Sequence, residues 1–351
     1  MTREELEAQI RRGEPVRGSD LSRMALKGAR LAGAIFEDVD LRQTDLGGAD
    51  LSESIFQGCD LSGARLSAAR LEHATLSKCS LREVVADGLQ AAYATFVECQ
   101  LGRVTLGRAD LRHASFAKSP LGEVDLRYGD LSKTNAVDCG VVRATFTGAT
   151  LVETAFVQAD LSGSTFGQLD AQKVVFIKCA FGAPDFSGLA LPMSQFMECD
   201  LGGASFEGAV IERCGFRASR LTGAVLDRVR APMCLFAEAN LDEARLREAE
   251  LGHCIFTSAS LRGANLAGSM LRESVLHDAD ASGASFVGAT LTYADLSRAR
   301  LDGADFTGAQ LFRARLHGVA DEGAVFHGAR AVALGDDPEL LEAERWRPTT
   351  T

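Results

Sequence analysis

The chain has 351 residues, with 37 Lys or Arg against 48 Asp or Glu, a formal net charge of -11. That balance argues against a nucleic-acid backbone as the main partner, because phosphate contacts need clustered cations. No run approaches the roughly 18 apolar residues of a membrane helix, and the charged opening Met1-Thr2-Arg3-Glu4-Glu5 leads into no apolar signal segment. The expectation is a cytoplasmic protein without a membrane span.

Residues 1–18 read as a capping segment. Thr2 and Glu5 have capping-box spacing, Leu6 and Ile10 share a face, and Gly13-Glu14-Pro15 ends the helix.

From Leu21 to Phe326, 62 positions spaced five apart carry Leu or Phe 53 times, and the frame never slips. A period of five is neither 3.6 nor 2, so neither an ordinary helix nor an ordinary strand explains it. It marks a stacked solenoid whose repeats bury their faces against one another. The residue two before each frame position is almost always small. All nine cysteines occupy that slot (Cys59, Cys79, Cys99, Cys139, Cys179, Cys199, Cys214, Cys234 and Cys254), and none forms a CxxC pair. They are expected to act as small buried hydrophobes rather than as a metal or redox site.

A longer period of twenty is also visible. Ten phenylalanines, among them Phe36, Phe56, Phe96 and Phe256, share one column, and seven, among them Phe146 and Phe306, share the column ten residues away. Two Phe-bearing sides facing each other between two Leu-rich sides would fill a four-sided cross-section. The frame centre weakens at Ala86, Ala91, Ala136, Val141, Ala171, Ala231, Ala281 and Asp321, and Pro184 and Leu189 enter the small slot. The columns keep their phase across most of these points, so distorted coils are expected there rather than domain boundaries. Residues 19–330 then form one repeat region. Residues 331–351 form a C-terminal element: Asp337-Pro338 starts a helix that runs to about Trp346 and stops at Pro348. Leu340, Leu341 and Trp346 are candidate cap or dimer contacts.

The pattern resembles the pentapeptide-repeat family, whose unit is roughly A-(D/N)-L-x-x. Ala49-Asp50-Leu51-Ser52-Glu53, Ala109-Asp110-Leu111-Arg112-His113 and Ala159-Asp160-Leu161-Ser162-Gly163 carry it directly. The resemblance covers residues 19 to 330 and implies an all-β fold, a right-handed quadrilateral parallel β-helix. The 62 pentapeptides then make about 15 coils, with short α-helices at both ends.

No nucleotide-binding loop, zinc-protease motif or nucleophile elbow is present, and the six histidines read as surface residues. His73 and His113 share a column but stand two coils apart, about 10 Å, too far for joint ligation. No enzyme activity, metal or cofactor is expected. Function is then expected on the surface. Beside the main Phe column, outward slots hold Ile35, Ile55, Val97, Val137, Val157, Val175, Ile177, Met197, Leu235, Ile255 and Val275. Stacked, these predict an apolar stripe, read either as a protein interface or as the β-propensity of branched residues on an extended side.

Two functions remain open. The first is a non-catalytic scaffold or adaptor that binds a protein partner, with a C-terminal homodimer contact as an option. The leader from Arg3 to Pro15 is loosely similar to those of secretion-associated family members, which suggests effector loading. The second is a DNA-mimicking protein that binds a type II topoisomerase (gyrase), as the quinolone-resistance members of the family do. Asp20, Asp40 and Asp60 in one column suit it, but Arg220 and Arg300 later in that column do not.

Overall fold

A chain with a buried residue every five positions must turn a corner every five positions, and the backbone shows where. In the computed structural model, which describes residues 1–346, the residue two after a frame centre takes a left-handed φ along nearly the whole repeat region. Glycine supplies it at Gly33 (φ 68°) and Gly163 (φ 71°), and non-glycine residues at Arg103 (φ 59°) and Glu243 (φ 59°). Pairing between coils is parallel and steps by twenty residues, as Asp20↔Asp40↔Asp60 and Leu235↔Ile255↔Val275 illustrate. Four corners per twenty-residue step give a four-sided coil, so the chain is a parallel β-solenoid.

The chain forms two compact units, Met1–Asp185 and Phe186–Thr351. The division falls where Pro184 and Leu189 enter the small slot. In the first unit, α1 (Arg3–Arg11) has Thr2 and Glu5 joined in the expected capping box. Leu6 is buried, and Arg3 donates to the carbonyls of Lys27 and Gly28, each at 3.0 Å, so the helix closes the first coil. Stacking then begins at β1 (Val16–Arg17), slightly earlier than expected.

The strands that follow are β2 (Ile35–Glu37), β3 (Ile55–Gln57), β4 (Thr75–Ser77), β5 (Thr95–Val97), β6 (Ser115–Ala117) and β7 (Asn135–Val137). After them come β8 (Thr150–Val152), β9 (Ala155–Val157), β10 (Asp170–Gln172) and β11 (Val175–Ile177). One ladder runs β1-β2-β3-β4-β5-β6-β7-β9-β11, and β8 pairs with β10 on a neighbouring side. The second unit has one strand, β12 (Gln195–Met197), among its described residues; its later coils pair through single-residue bridges. Counted by strands, the solenoid has about nine turns rather than the fifteen coils expected from the repeat number. Strand length and repeat number are separate quantities, because a coil can be closed by a single bridge.

The frame residues form the core. The substituted centres Ala86, Ala91, Ala136, Val141, Ala171, Ala231 and Ala281 remain buried; Asp321 is half-buried. The oversized small-slot residues Met24, Leu169 and Leu189 are half-buried, whereas Leu89 stays inside, where Ala86 and Ala91 leave it room.

All nine cysteines are buried free thiols. The Cys59 and Cys139 thiols donate to the carbonyls of Phe36 (3.5 Å) and Phe116 (3.6 Å), frame residues 23 positions earlier. Thr44 and Ser54 donate in the same way to Leu21 and Leu31, both at 3.0 Å. The slot therefore takes Ala, Ser, Thr or Cys, and its polar members are satisfied by a carbonyl of the preceding coil.

At the C-terminal end a short 3-10 turn, Ala329–Val332, precedes α2 (Pro338–Arg345), which Asp337 caps by accepting from the amides of Glu339 and Leu340. Among its described residues α2 buries no side chain: Leu340 is exposed, Leu341 half-buried, and Trp346 exposed. His317, itself buried, holds the helix through polar contacts, its Nδ1 accepting from the Asp337 amide at 3.1 Å. The expected stop at Pro348 and the tail of the 331–351 element lie outside the described residues.

Candidate protein-binding faces

A five-residue repeat with two inward positions leaves three side chains per repeat on the surface. Many of these are charged, and several arginines pair with acids of their own or a neighbouring coil. Arg42 lies 2.5 Å from Asp40 and 3.8 Å from Asp60, so the acidic column that begins at Asp20 is partly neutralised. Hydrogen bonds from Arg42 hold the Asp40 carboxyl below the usual range. Arg112 on Asp110 and Arg127 on Asp125, both at 2.6 Å, repeat the pattern.

The deepest of these clamps is in the second unit. Asp227 is 2 % exposed although it occupies an outward slot. Its Oδ2 accepts from the guanidiniums of Arg245 and Arg247, the latter at 2.7 Å, and its Oδ1 accepts from the Arg247 amide at 3.0 Å. Burial alone would raise its pKa, but the hydrogen bonds from Arg247 and Arg245 outweigh it and draw the value down to about 2.

Against this charged background the apolar slots stand out, but they do not form one row. In the first unit Ile35 pairs directly with Ile55, which is exposed. The row is then broken by Thr75, Thr95 and Ser115. Val97, half-buried, has only Ser77 and Ala117 beside it. A second cluster follows: Val137 pairs with Val157 and Val157 with Ile177, while Val175 faces Ala155 on the other flank of the Phe column.

In the second unit half-buried Met197 stands on β12, and Leu235, Ile255 and Val275 pair on successive coils. Ile255 is 41 % exposed and its two neighbours are half-buried. Behind this cluster the rings of Phe216, Phe236 and Phe256 stack at 5.0 and 4.9 Å within 6° of parallel. The eleven residues thus make three clusters plus Val97 and Met197, each cluster mounted on a rigid core column.

Sequence reasoning missed one surface feature. Tyr93 lies between His73 and His113 and stacks on both, at 4.9 and 4.5 Å. The two histidines are two coils apart, and Tyr93, twenty residues from each, is the signal that joins them. Among the described residues no helix is long and apolar enough to cross a membrane.

Two family models match this repeat region. A model described as "Pentapeptide repeat region" matches residues 29–102. A second, "Pentapeptide repeats (8 copies)", matches residues 142–176, 239–278, 269–308 and 279–318. No curated protein matches the chain. Among solved structures, a pentapeptide repeat protein from the Arabidopsis thaliana thylakoid lumen is 31 % identical over 27 % of this chain and 66 % of its own, with a TM-score of 0.27. HetL of Nostoc sp. strain PCC 7120, involved in heterocyst differentiation regulation, is 22 % identical over 95 % of this chain and 94 % of its own, with a TM-score of 0.21. QnrB1, a plasmid-mediated fluoroquinolone resistance protein, is 23 % identical over 44 % and 84 %, with a TM-score of 0.25. With the unbroken five-residue frame, the stacked parallel coils and the matched family models, the chain belongs to the pentapeptide-repeat family.

Proposed function

We propose that the chain is a non-catalytic scaffold that binds a protein partner through the apolar clusters of its solenoid sides. The supporting observation is the Leu235, Ile255 and Val275 cluster: three apolar residues on successive coils, open to solvent at Ile255. Contiguous apolar surface rimmed by polar groups is the usual mark of a binding face. Affinity capture from source cells, comparing wild type with Ile55→Asp plus Ile255→Asp, tests it; an unchanged set of captured proteins sinks the reading.

The topoisomerase alternative draws less support, since Arg42 breaks the Asp20 column that a phosphate mimic would keep continuous. A gyrase supercoiling assay without inhibition would retire it. Effector loading in a secretion system is a setting that suits such a scaffold, and the leader from Arg3 to Pro15 is the feature that suggests it. A homodimer through α2 accords with exposed Leu340 and Trp346 on a helix that buries no described side chain. Sedimentation of Trp346→Ser against wild type tests this contact, and equal mass for the two as dimers removes Trp346 from it.

A further inference from the structure

Of the 19 phenylalanines, Phe312 alone lies outside the five-residue frame. It occupies the outward slot after Leu311, which one coil earlier holds Thr292. Its ring is 51 % exposed. Tyr293, at a left-handed corner of the preceding coil (φ 61°), meets that ring edge to face, with centroids 5.8 Å apart. On the following coil exposed Val332 stands in the same slot as Phe312, its carbonyl accepting from the Arg313 amide at 2.9 Å. Tyr293, Phe312 and Val332 thus make an aromatic and apolar patch on three successive coils of the second unit. None of the three is an inward position, so packing of the core does not account for them.

Arginines frame the patch. Arg272 lies over the Tyr293 ring at 5.9 Å, and Arg313 over the Phe312 ring at 6.0 Å. A guanidinium resting on a ring is held by the ring's quadrupole and keeps N–H edges for a further acceptor. Arg272 donates along one edge to Glu273, at 3.0 Å, and Arg315, two residues beyond Arg313, is 3.7 Å from Asp295. Arg313 enters no ion pair with a described residue. Three arginines therefore stand here against two carboxylates, in a chain whose net charge is -11. Exposed aromatic rings together with arginines are the composition that dominates the binding energy of protein interfaces. Asp295 pairs with Val275 on the preceding coil, so the patch borders the Leu235, Ile255 and Val275 cluster.

We propose that this patch receives an acidic segment of the protein partner: an apolar side chain lies on Phe312 and Val332, and a neighbouring carboxylate pairs with Arg313. The excess of guanidinium over carboxylate selects the anion, and the planar fork of Arg313 suits a carboxylate in particular. Because that guanidinium already lies beside the ring that takes the apolar group, one short segment reaches both. A nucleic-acid strand fits less well, since it needs a row of cations along its backbone and Glu273 and Asp295 interrupt the arginines. The proposal rests on the protein-binding reading and adds to it the charge of the partner, at a contact separate from the apolar clusters.

The test uses the full chain with fluorine-labelled tyrosine, in which Tyr93, Tyr128 and Tyr293 are the three reporters. The probe is the peptide acetyl-Glu-Leu-Glu-amide, with acetyl-Gln-Leu-Gln-amide as its neutral counterpart. The expected result is a saturable shift of the Tyr293 fluorine signal alone, with a Kd on the order of 1 mM, at least about fivefold weaker for the neutral peptide. Arg313→Gln should weaken the acidic peptide at least about fivefold and remove its advantage over the neutral one. Phe312→Ser should abolish the shift; Phe312 and Arg313 are both exposed, so neither variant should lower the Tm. An equal response to the neutral peptide, no response to the acidic one, equal shifts at all three tyrosines, a response that survives Phe312→Ser, or tighter binding of an oligothymidine overturns the proposal. The titration needs no natural partner, so its failure and that of the apolar clusters are read separately.

Discussion

The two units are built on one frame and differ in opposite respects. The first unit has the longer strands and the looser core. Phe116, Leu121 and Leu126 retain 3 to 4 % exposure, and two internal cavities of about 10 Å³ lie against Ala86 and Ala136. Its main phenylalanine column is interrupted by Leu76 and Ala136. The second unit has the shorter pairing and the tighter core: Phe196, Phe216, Phe236 and Phe256 stack without a break, and each is 0 % exposed.

The residue after the frame centre does not by itself account for the strands. It is Val97, Val137, Val157 and Ile177 in four strands of the first unit, where branched residues favour extended backbone. In four others it is Glu37, Gln57, Ser77 and Ala117, and in the second unit it is Arg217, Ala237, Thr257 and His277.

The largest expected effect breaks the inner half of this comparison. Phe236→Ala removes a ring stacked on both sides and should cost about 4 kcal/mol. Phe116→Ala removes a ring stacked only on Phe96 and already beside Ala136, so it should cost about 1 kcal/mol less. Urea unfolding of the two variants checks the order.

Next is the charge clamp. Asp227→Asn should destabilise by about 2 kcal/mol, since it replaces the buried carboxylate that accepts from Arg245 and Arg247 by a neutral amide, one half of which is itself a donor. The sign with pH follows from the depressed pKa. The carboxylate's contribution is fully present above its unfolded value near 4 and is lost as pH falls toward about 2. Wild type should therefore converge on the variant between those values, as Tm measured across that range would show.

A smaller effect should change sign between the units. Ala136→Val enters one of the first unit's cavities and should stabilise by about 0.5 kcal/mol. Ala281→Val enters a site that is 0 % exposed and should destabilise by about 1 kcal/mol. Equal signs for the two would mean that the cores are not packed differently.

Much of this fold was legible because its rules repeat. Leu21 to Phe326 gave the frame, the phenylalanine columns gave four sides, and Thr2 with Glu5 gave the first helix. The ends were less legible, since His317 fastens α2 through contacts with no repeat to announce them. The Asp227 clamp was hidden for the opposite reason: acids twenty residues from arginines occur throughout the chain, and burial alone singles this pair out. The eleven apolar residues can be listed from the sequence, but their division into clusters depends on Thr75, Thr95 and Ser115 interrupting the row. Tyr93 stands at the right spacing, but a surface aromatic stack has no counterpart in the core pattern.

The smallest expected change in stability belongs to the surface, and it carries the main functional claim. Ile55→Asp and Ile255→Asp, made singly, should each move the Tm by no more than about 1 °C. Affinity capture with these single variants, quantified by mass spectrometry, assigns the docking face to a unit. The account predicts that Ile255→Asp loses at least one partner that both wild type and Ile55→Asp retain; retention of every wild-type partner by Ile255→Asp would contradict it.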